Sequence, residues 1–284
     1  MDVRPGASGE DVVGADGKYH YYIYLSLSGK SQTPYSLSVT FTPSNDPYEY
    51  NNTLTAASVV GDVPVAITAA NFFPNSDIDY FKFALAETRA GTMTVSLTNV
   101  PAEINPILYL YKLVDGTSQN LGSASAPAGG QSLTIEKDIT KPANGTYYVY
   151  LYDQGYNARS LSPYTLSVSY QVGEDSYEEN DTFATASPIL DTTGATAPVS
   201  ASLQATIFPT NDPDYYEVKV APGQSGILEV LVTDPGAYMY AYIYKPDKTG
   251  YVYGSSGSTG AAITLSMDVR PGASGEDVVG ADGK

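Results

Sequence analysis

MDVRPGASGEDVVGADGK stands at residues 1–18 and again, letter for letter, at residues 267–284. An identity of that length does not arise by chance. Reading on from Lys284 as though Tyr19 followed restores an interrupted pattern, so the chain reads as one period, with a short overlap, of a longer tandem array. The cut falls inside a domain rather than between domains.

Working outward from it, the sequence pairs with itself. NDPYEYNNTLTAA (45–57) matches EDSYEENDTFATA (174–186), and FPNSDIDYFKF (73–83) matches FPTNDPDYYEV (208–218). GTMTVSLTNV (91–100) matches GILEVLVTDP (226–235), INPILYLYK (104–112) matches AYMYAYIYK (237–245), and SLTIEKDI (132–139) matches AITLSMDV (262–269). The first copy continues through NGTYYVYLY (144–152) and SPYTLSVSY (162–170). Their counterparts lie near the N-terminus, as DGKYHYYIYLSL (16–27) and TPYSLSVTF (33–41). This predicts three segments: 1–43, the closing strands of a split repeat; 46–172, a complete repeat; and 175–284, the opening part of the split repeat.

Each segment has strand character. Met93, Val95 and Leu97 alternate with Thr and Ser, Leu166 and Val168 with Thr and Ser, and Ile263, Leu265, Met267 and Val269 with Thr, Ser and Asp. A period of two marks strands with one buried face. Asp-Gly at 16–17 and 115–116 and Asn-Gly at 144–145 mark turns between them. Helical character is confined to about one turn in TLTAASVV (53–60) and in TFATASPI (182–189). The expected fold is all-β: two tandem antiparallel β-sandwich domains, jelly-roll-like, one of them split between the chain termini. Tyr22, Tyr24, Leu37 and Val39 are expected on the buried faces of the split domain's last strands.

The chain carries a formal charge of −17 and no cysteine. The charge excludes nucleic acid, whose phosphates require a basic face. The missing cysteine removes disulfides and thiolate chemistry. No apolar run is long enough to insert in a membrane. The 26 tyrosines, against 7 phenylalanines, gather in runs such as YYVYLY and YMYAYIYK. Tyrosine suits a half-buried pleated surface, and secondarily a platform for sugars.

Together these motifs resemble the bacterial pre-peptidase C-terminal domain family. The resemblance rests on DSYEENDTFATA, DPDYYEV, NGTYYVYLY and YTLSVSY, and it covers nearly the whole chain twice. The first repeat departs from the pattern with Asn52 where the second has Asp181, and the split repeat carries an inserted pair in GKYHYY. Such a resemblance implies extracellular β-sandwich modules, some of which bind collagen and hold calcium at the opening acidic segment.

The acidic residues recur with the repeats. Asp46, Glu49 and Asn51, with Asp77 and Asp79, form one candidate set. Asp175, Glu178, Asn180 and Asp181, with Asp212 and Asp214, form the other. Calcium takes six to eight oxygen ligands from carboxylates, amides and carbonyls, which these residues supply. The same residue types also build turns and caps. Asn52 makes the first site the weaker of the two.

Nothing points to catalysis. His20 is the sole histidine, and GSSGSTG (254–260) lacks the spacing of a nucleophile elbow. Asn51, Asn144 and Asn180 stand in Asn-x-Thr sequons, two of which coincide with the acidic motif.

The expected function is structural: the repeat unit of an extracellular filament or cell-surface stalk. Neighbours join head to tail, by covalent continuation or by strand complementation, and calcium stiffens the junctions. The alternative is a secreted accessory module that binds collagen or polysaccharide.

Overall fold

A computed structural model describes residues 13–256 and 258–270. Most of both 18-residue copies, and any competition between them for one strand position, lie outside the described residues. The chain forms two compact units, Met1–Glu174 with Phe208–Thr210, and Asp175–Ile207 with Asn211–Lys284. The fold is all-β.

Among the described residues of the first unit the alternating sequence forms nine strands. These are β1 (Ser58–Asp62), β2 (Val65–Ile67), β3 (Ile78–Leu85), β4 (Gly91–Thr98), β5 (Pro106–Val114), β6 (Thr117–Ser125), β7 (Leu133–Ile139), β8 (Gly145–Asp153) and β9 (Thr165–Val172). They pair as two sheets, in the order β1-β3-β8-β5-β6 and β2-β9-β4-β7. All neighbours are antiparallel except β1 and β3, which run parallel. The Asp-Gly signal at 115–116 becomes the β5–β6 hairpin, with φ of 50° and 77° at its two residues. A tight hairpin of that hand asks for positive φ at both. The helical signal at 53–60 shrinks to a 3-10 turn at Leu54–Ala56, and the rest of that stretch enters β1.

The inward residues of the two sheets meet in one core that includes Phe81, Phe83, Met93, Val95, Leu97, Leu108, Leu110, Val149, Leu151, Leu166 and Val168. Leu97→Ala is expected to destabilise this unit by ~2–5 kcal/mol in chemical denaturation. Leu231→Ala, at an exposed strand position of the second unit, is expected to stay within about 0.5 kcal/mol.

On the outer face of the five-stranded sheet, tyrosines stack across the strands. Tyr150 lies between Tyr80 and Tyr109, with ring centroids 4.8 and 4.6 Å away and interplanar angles of 14° and 1°. Tyr111, Tyr152 and Tyr156 extend the row. The rings spend their faces on each other, leaving edges and hydroxyls outward.

The described residues of the second unit form six strands: β10 (Ser187–Asp191), β11 (Tyr216–Lys219), β12 (Gly226–Val232), β13 (Tyr240–Tyr244), β14 (Tyr251–Ser255) and β15 (Ile263–Val269). They form three separate pairs, β10-β11, β12-β15 and β13-β14. The helical signal at 182–189 is a hydrogen-bonded turn from Thr182 to Thr185 that leads into β10. The C-terminal 18-residue copy begins inside β15, whose Met267, Asp268 and Val269 pair with Leu228, Ile227 and Gly226.

The repeat alignment makes β10 to β15 the counterparts of β1, β3, β4, β5, β6 and β7. The counterpart of β8 would join β10-β11 to β13-β14, and that of β9 would flank β12. The sequences that match β8 and β9 lie at 16–27 and 33–41. Residues 20–43 contain no strand, which departs from the sequence expectation. Tyr164, just ahead of β9, and Leu166 and Val168 within it are 0, 1 and 2% exposed, whereas their counterparts Tyr35, Leu37 and Val39 are 77, 56 and 68% exposed.

In β8 the core members are Tyr147, Val149 and Leu151, while Tyr150 and Tyr152 belong to the outer tyrosine row. Aligning YYVYLY with YYIYLS therefore assigns the inward positions to Tyr21, Ile23 and Leu25. By that alignment Tyr22 and Tyr24 would fall on the outer face of such a strand, because a one-residue slip reverses every side chain.

Candidate metal centre

In the first unit, the segment before β1 and the start of β3 are tied together by hydrogen bonds from backbone N–H groups. The Tyr80 N–H donates to the Asn51 carbonyl at 3.1 Å, and the Ile78 N–H donates to Asn52 Oδ1 at 3.2 Å. Asp46 accepts from the Tyr48 N–H at 2.8 Å and from the Asn71 N–H at 2.6 Å. This lacing turns Asp46, Glu49, Asn51, Asp77 and Asp79 toward one another. One oxygen each from Asp46, Glu49 and Asp79 lie within 4.8 Å of one another.

Asn51, Asp77 and Asp79 are buried. Both oxygens of Glu49 and Asp77, Oδ1 of Asp79 and the whole Asn51 amide lack hydrogen-bond partners. Buried polar atoms are normally satisfied, and buried charge without compensation is costly. Burial raises the pKa of Asp77 above the usual carboxylate range, and the Asp79 and Glu49 charges push it further. Glu49 is raised by burial and then by the Asp46 charge. Asp79 is raised by burial, against the opposing effect of a hydrogen bond from Tyr164. The set consists of hard oxygen donors turned inward without their own donors, and it fits a divalent cation of the calcium type.

The second unit repeats the arrangement. Asp175 accepts from the Tyr177 N–H at 2.8 Å and the Thr206 N–H at 2.6 Å, and the Tyr215 N–H donates to the Asn180 carbonyl at 2.9 Å. Oxygens of Glu178, Asp212 and Asp214 lie within 4.8 Å of one another. Asn180 is fully buried with its amide unpartnered, as are Glu178 Oε1 and Asp214 Oδ1. Burial raises Glu178 to about 7 and Asp214 to about 6. Asp181 is exposed and stands outside this carboxylate group, and Asp175 accepts from two backbone N–H groups as Asp46 does in the first centre.

The first centre is the more enclosed, and Asn52, on which the expectation of a weaker site rests, takes no part in that enclosure. That side chain serves the backbone of β3, and enclosure comes instead from Tyr164, just ahead of β9. The buried Tyr164 hydroxyl donates to Asp79 Oδ2 at 2.6 Å, and its ring packs on Phe72 at 4.9 Å. Burial, followed by the Asp79 charge, holds its pKa well above that of free tyrosine, so it remains a donor. The sequence reading did not single out Tyr164, although the match of SPYTLSV to TPYSLSV carried the signal. Tyr164→Phe is expected to cost ~1.5–3 kcal/mol of first-unit stability, the range for hydrogen bonds to charged groups, by urea titration.

His20 pairs with Asp16 at 2.9 Å on the surface and touches neither centre. Among the described residues no helix is long and apolar enough to cross a membrane.

No protein-family model and no curated protein sequence matches the chain. Among solved structures, the chain is similar to the pre-peptidase C-terminal domain of a collagenase from Bacillus anthracis, at 19% identity and a TM-score of 0.27. That match covers 40% of this chain and 94% of the domain. An adhesin domain of Lys-gingipain from Porphyromonas gingivalis matches at 13% identity and a TM-score of 0.27, over 39% of this chain and 74% of its own. The exported protein XepA matches at 12% identity and a TM-score of 0.31, over 89% of this chain and 90% of its own.

Proposed function

We propose that the chain is a non-enzymatic, extracellular structural module, the repeating unit of a filament or cell-surface stalk. Residues 19–43 of one repeat complete the second unit of the next, through covalent continuation of an array or by strand addition between separate copies. Calcium at the two acidic centres stiffens the assembly.

The observation that carries this reading is the match between a gap and a segment. Among its described residues the second unit lacks the two strands that hold the first unit's sheets together, and the sequences matching them form no strand and expose Leu37 and Val39. Glycine usage agrees. A Cβ at Gly91 would collide with the Gln171 carbonyl of β9, so that position needs glycine. Its counterpart Gly226 begins β12 with nothing within 4 Å of the Cβ position. A β9-like strand against β12 supplies the missing steric reason.

Concentrated 1–284 with calcium is expected to form filaments or sedimenting oligomers, visible by negative-stain electron microscopy and analytical ultracentrifugation. A stable monomer across the whole concentration range would defeat the proposal.

The tyrosine row supports a second reading, a collagen- or polysaccharide-binding module that presents phenol edges and hydroxyls on one face. Under that reading Tyr109→Ala and Tyr150→Ala abolish co-sedimentation with insoluble collagen or glycan, and the protein stays monomeric.

A further inference from the structure

The two acidic centres differ in one respect that the repeat alignment makes specific. Tyr164, which closes the first centre, has its counterpart in Tyr35, on the segment that forms no strand. Asp79 corresponds to Asp214, and Phe72 to Ile207. Where Phe72 is 1% exposed beneath the Tyr164 ring, Ile207 is 48% exposed. The wall beside Asp214 is therefore open where a tyrosine ring would stand. Asp214 Oδ2 meanwhile takes a bond from the Tyr216 hydroxyl at 3.1 Å, a group absent from the first centre because Phe81 occupies that place. The buried Asn180 amide and Asp214 Oδ1 still lack partners.

We propose that Tyr35 of a neighbouring copy closes the second acidic centre, seating its ring on Ile207 and donating its hydroxyl to Asp214, so that cation binding there is coupled to assembly. This rests on the head-to-tail reading above. The first centre is complete within one chain and binds its cation whatever the protein concentration. The second centre is completed only in the assembled state. By linkage, a cation that prefers the closed centre strengthens assembly by the same factor by which assembly strengthens cation binding. Calcium then acts as a trigger at the second centre and as a fixed brace at the first.

The segment carrying Tyr35 also includes the β8 counterpart, which would bring Tyr24, the counterpart of Tyr150, to the position between Tyr215 and Tyr242, the counterparts of Tyr80 and Tyr109. In the isolated chain Phe183 meets the Tyr215 and Tyr244 rings edge-on, at 4.7 and 5.1 Å. Its ring is expected to move as the tyrosine row is completed, and a change in Phe183 side-chain NMR signals on assembly would record this.

The test compares full-length 1–284, Tyr35→Phe and Tyr216→Phe by calcium titration calorimetry, below and above the assembly concentration. Tyr35 is exposed, so removing its hydroxyl leaves the free chain folded. The wild type should show one high-affinity calcium per chain when dilute and two when assembled. Tyr35→Phe should still assemble at high concentration, with the second calcium weakened about tenfold or more, the effect of one hydrogen bond to a charged group. If the wild type assembles and Tyr35→Phe binds the second calcium unchanged, the inference fails while the structural role stands. If Tyr216→Phe alone weakens that calcium, the intrachain tyrosine suffices and the inference is likewise overturned. If no variant assembles at any concentration, the underlying functional reading fails as well.

Discussion

Oxidation of the Ser38→Cys/Leu231→Cys double variant yields a ladder of disulfide-linked oligomers on non-reducing gels. The expectation comes from the register of the first unit, in which Ser96 of β4 faces Ser167 of β9. Their counterparts are Leu231 and Ser38. Directly opposed residues of antiparallel strands have Cα atoms about 4.5–5.5 Å apart, within disulfide range. The chain has no native cysteine to confuse the result. Moving one cysteine to Glu229 shifts the pair to a diagonal at about 7–8 Å and should reduce the ladder sharply. Burying Ile23, Leu25, Leu37 and Val39 contributes ~1.5–3 kcal/mol each before the costs of association. Leu37→Asp should therefore weaken assembly by roughly a hundredfold or more. A disulfide confined to single chains, independent of dilution, would refute docking onto a neighbour.

Calcium should raise the melting temperature by many degrees. At free calcium near 1,000 times the dissociation constant, each filled site adds ~4 kcal/mol. For units of this size each kilocalorie corresponds to about 2–4 °C or more. Asp79→Ala should remove the first unit's response and Asp214→Ala the second's, while Asp181→Ala, outside the carboxylate group, should change little. The metal-free protein should also become less stable as pH rises. Carboxylates whose folded pKa is raised contribute their stability in full below the usual carboxylate range and lose it as pH climbs through the folded values. For Glu178 and Asp214 those values are about 7 and 6. The buried Asp77 and Asp79 of the first unit extend the loss to higher pH. Calcium should flatten that slope. A chelated protein equally stable from pH 5 to 8 by calorimetry would leave the acidic residues as turn formers only.

Strand positions were legible because their pattern is local. The alternation in GTMTVSLTNV or SPYTLSVSY is fixed by the two-residue period of a strand, and an Asp-Gly pair closes a hairpin wherever it falls. The acidic centres were half legible. Recurrence in both repeats selected Asp46, Glu49, Asp79, Glu178 and Asp214. It gave no means of separating Asp181, which faces solvent, or of seeing that Asn52 serves the β3 backbone. Tyr164 was missed because it lies 85 residues from Asp79 in sequence, and only the packing of the strands brings its hydroxyl there.

From the sequence alone came the repeat, the all-β class, the membership of each strand and the correspondence of 16–27 and 33–41 with β8 and β9. These follow from side-chain periodicity and self-similarity, which need no coordinates. Only the tertiary structure decided which carboxylates are buried together, that Tyr147, Val149 and Leu151 are the inward residues of β8, and that the described residues of the second unit form no strands in the places of β8 and β9. Those outcomes depend on contacts between residues far apart in the chain, where burial and hydrogen-bond satisfaction are settled by packing rather than by pattern.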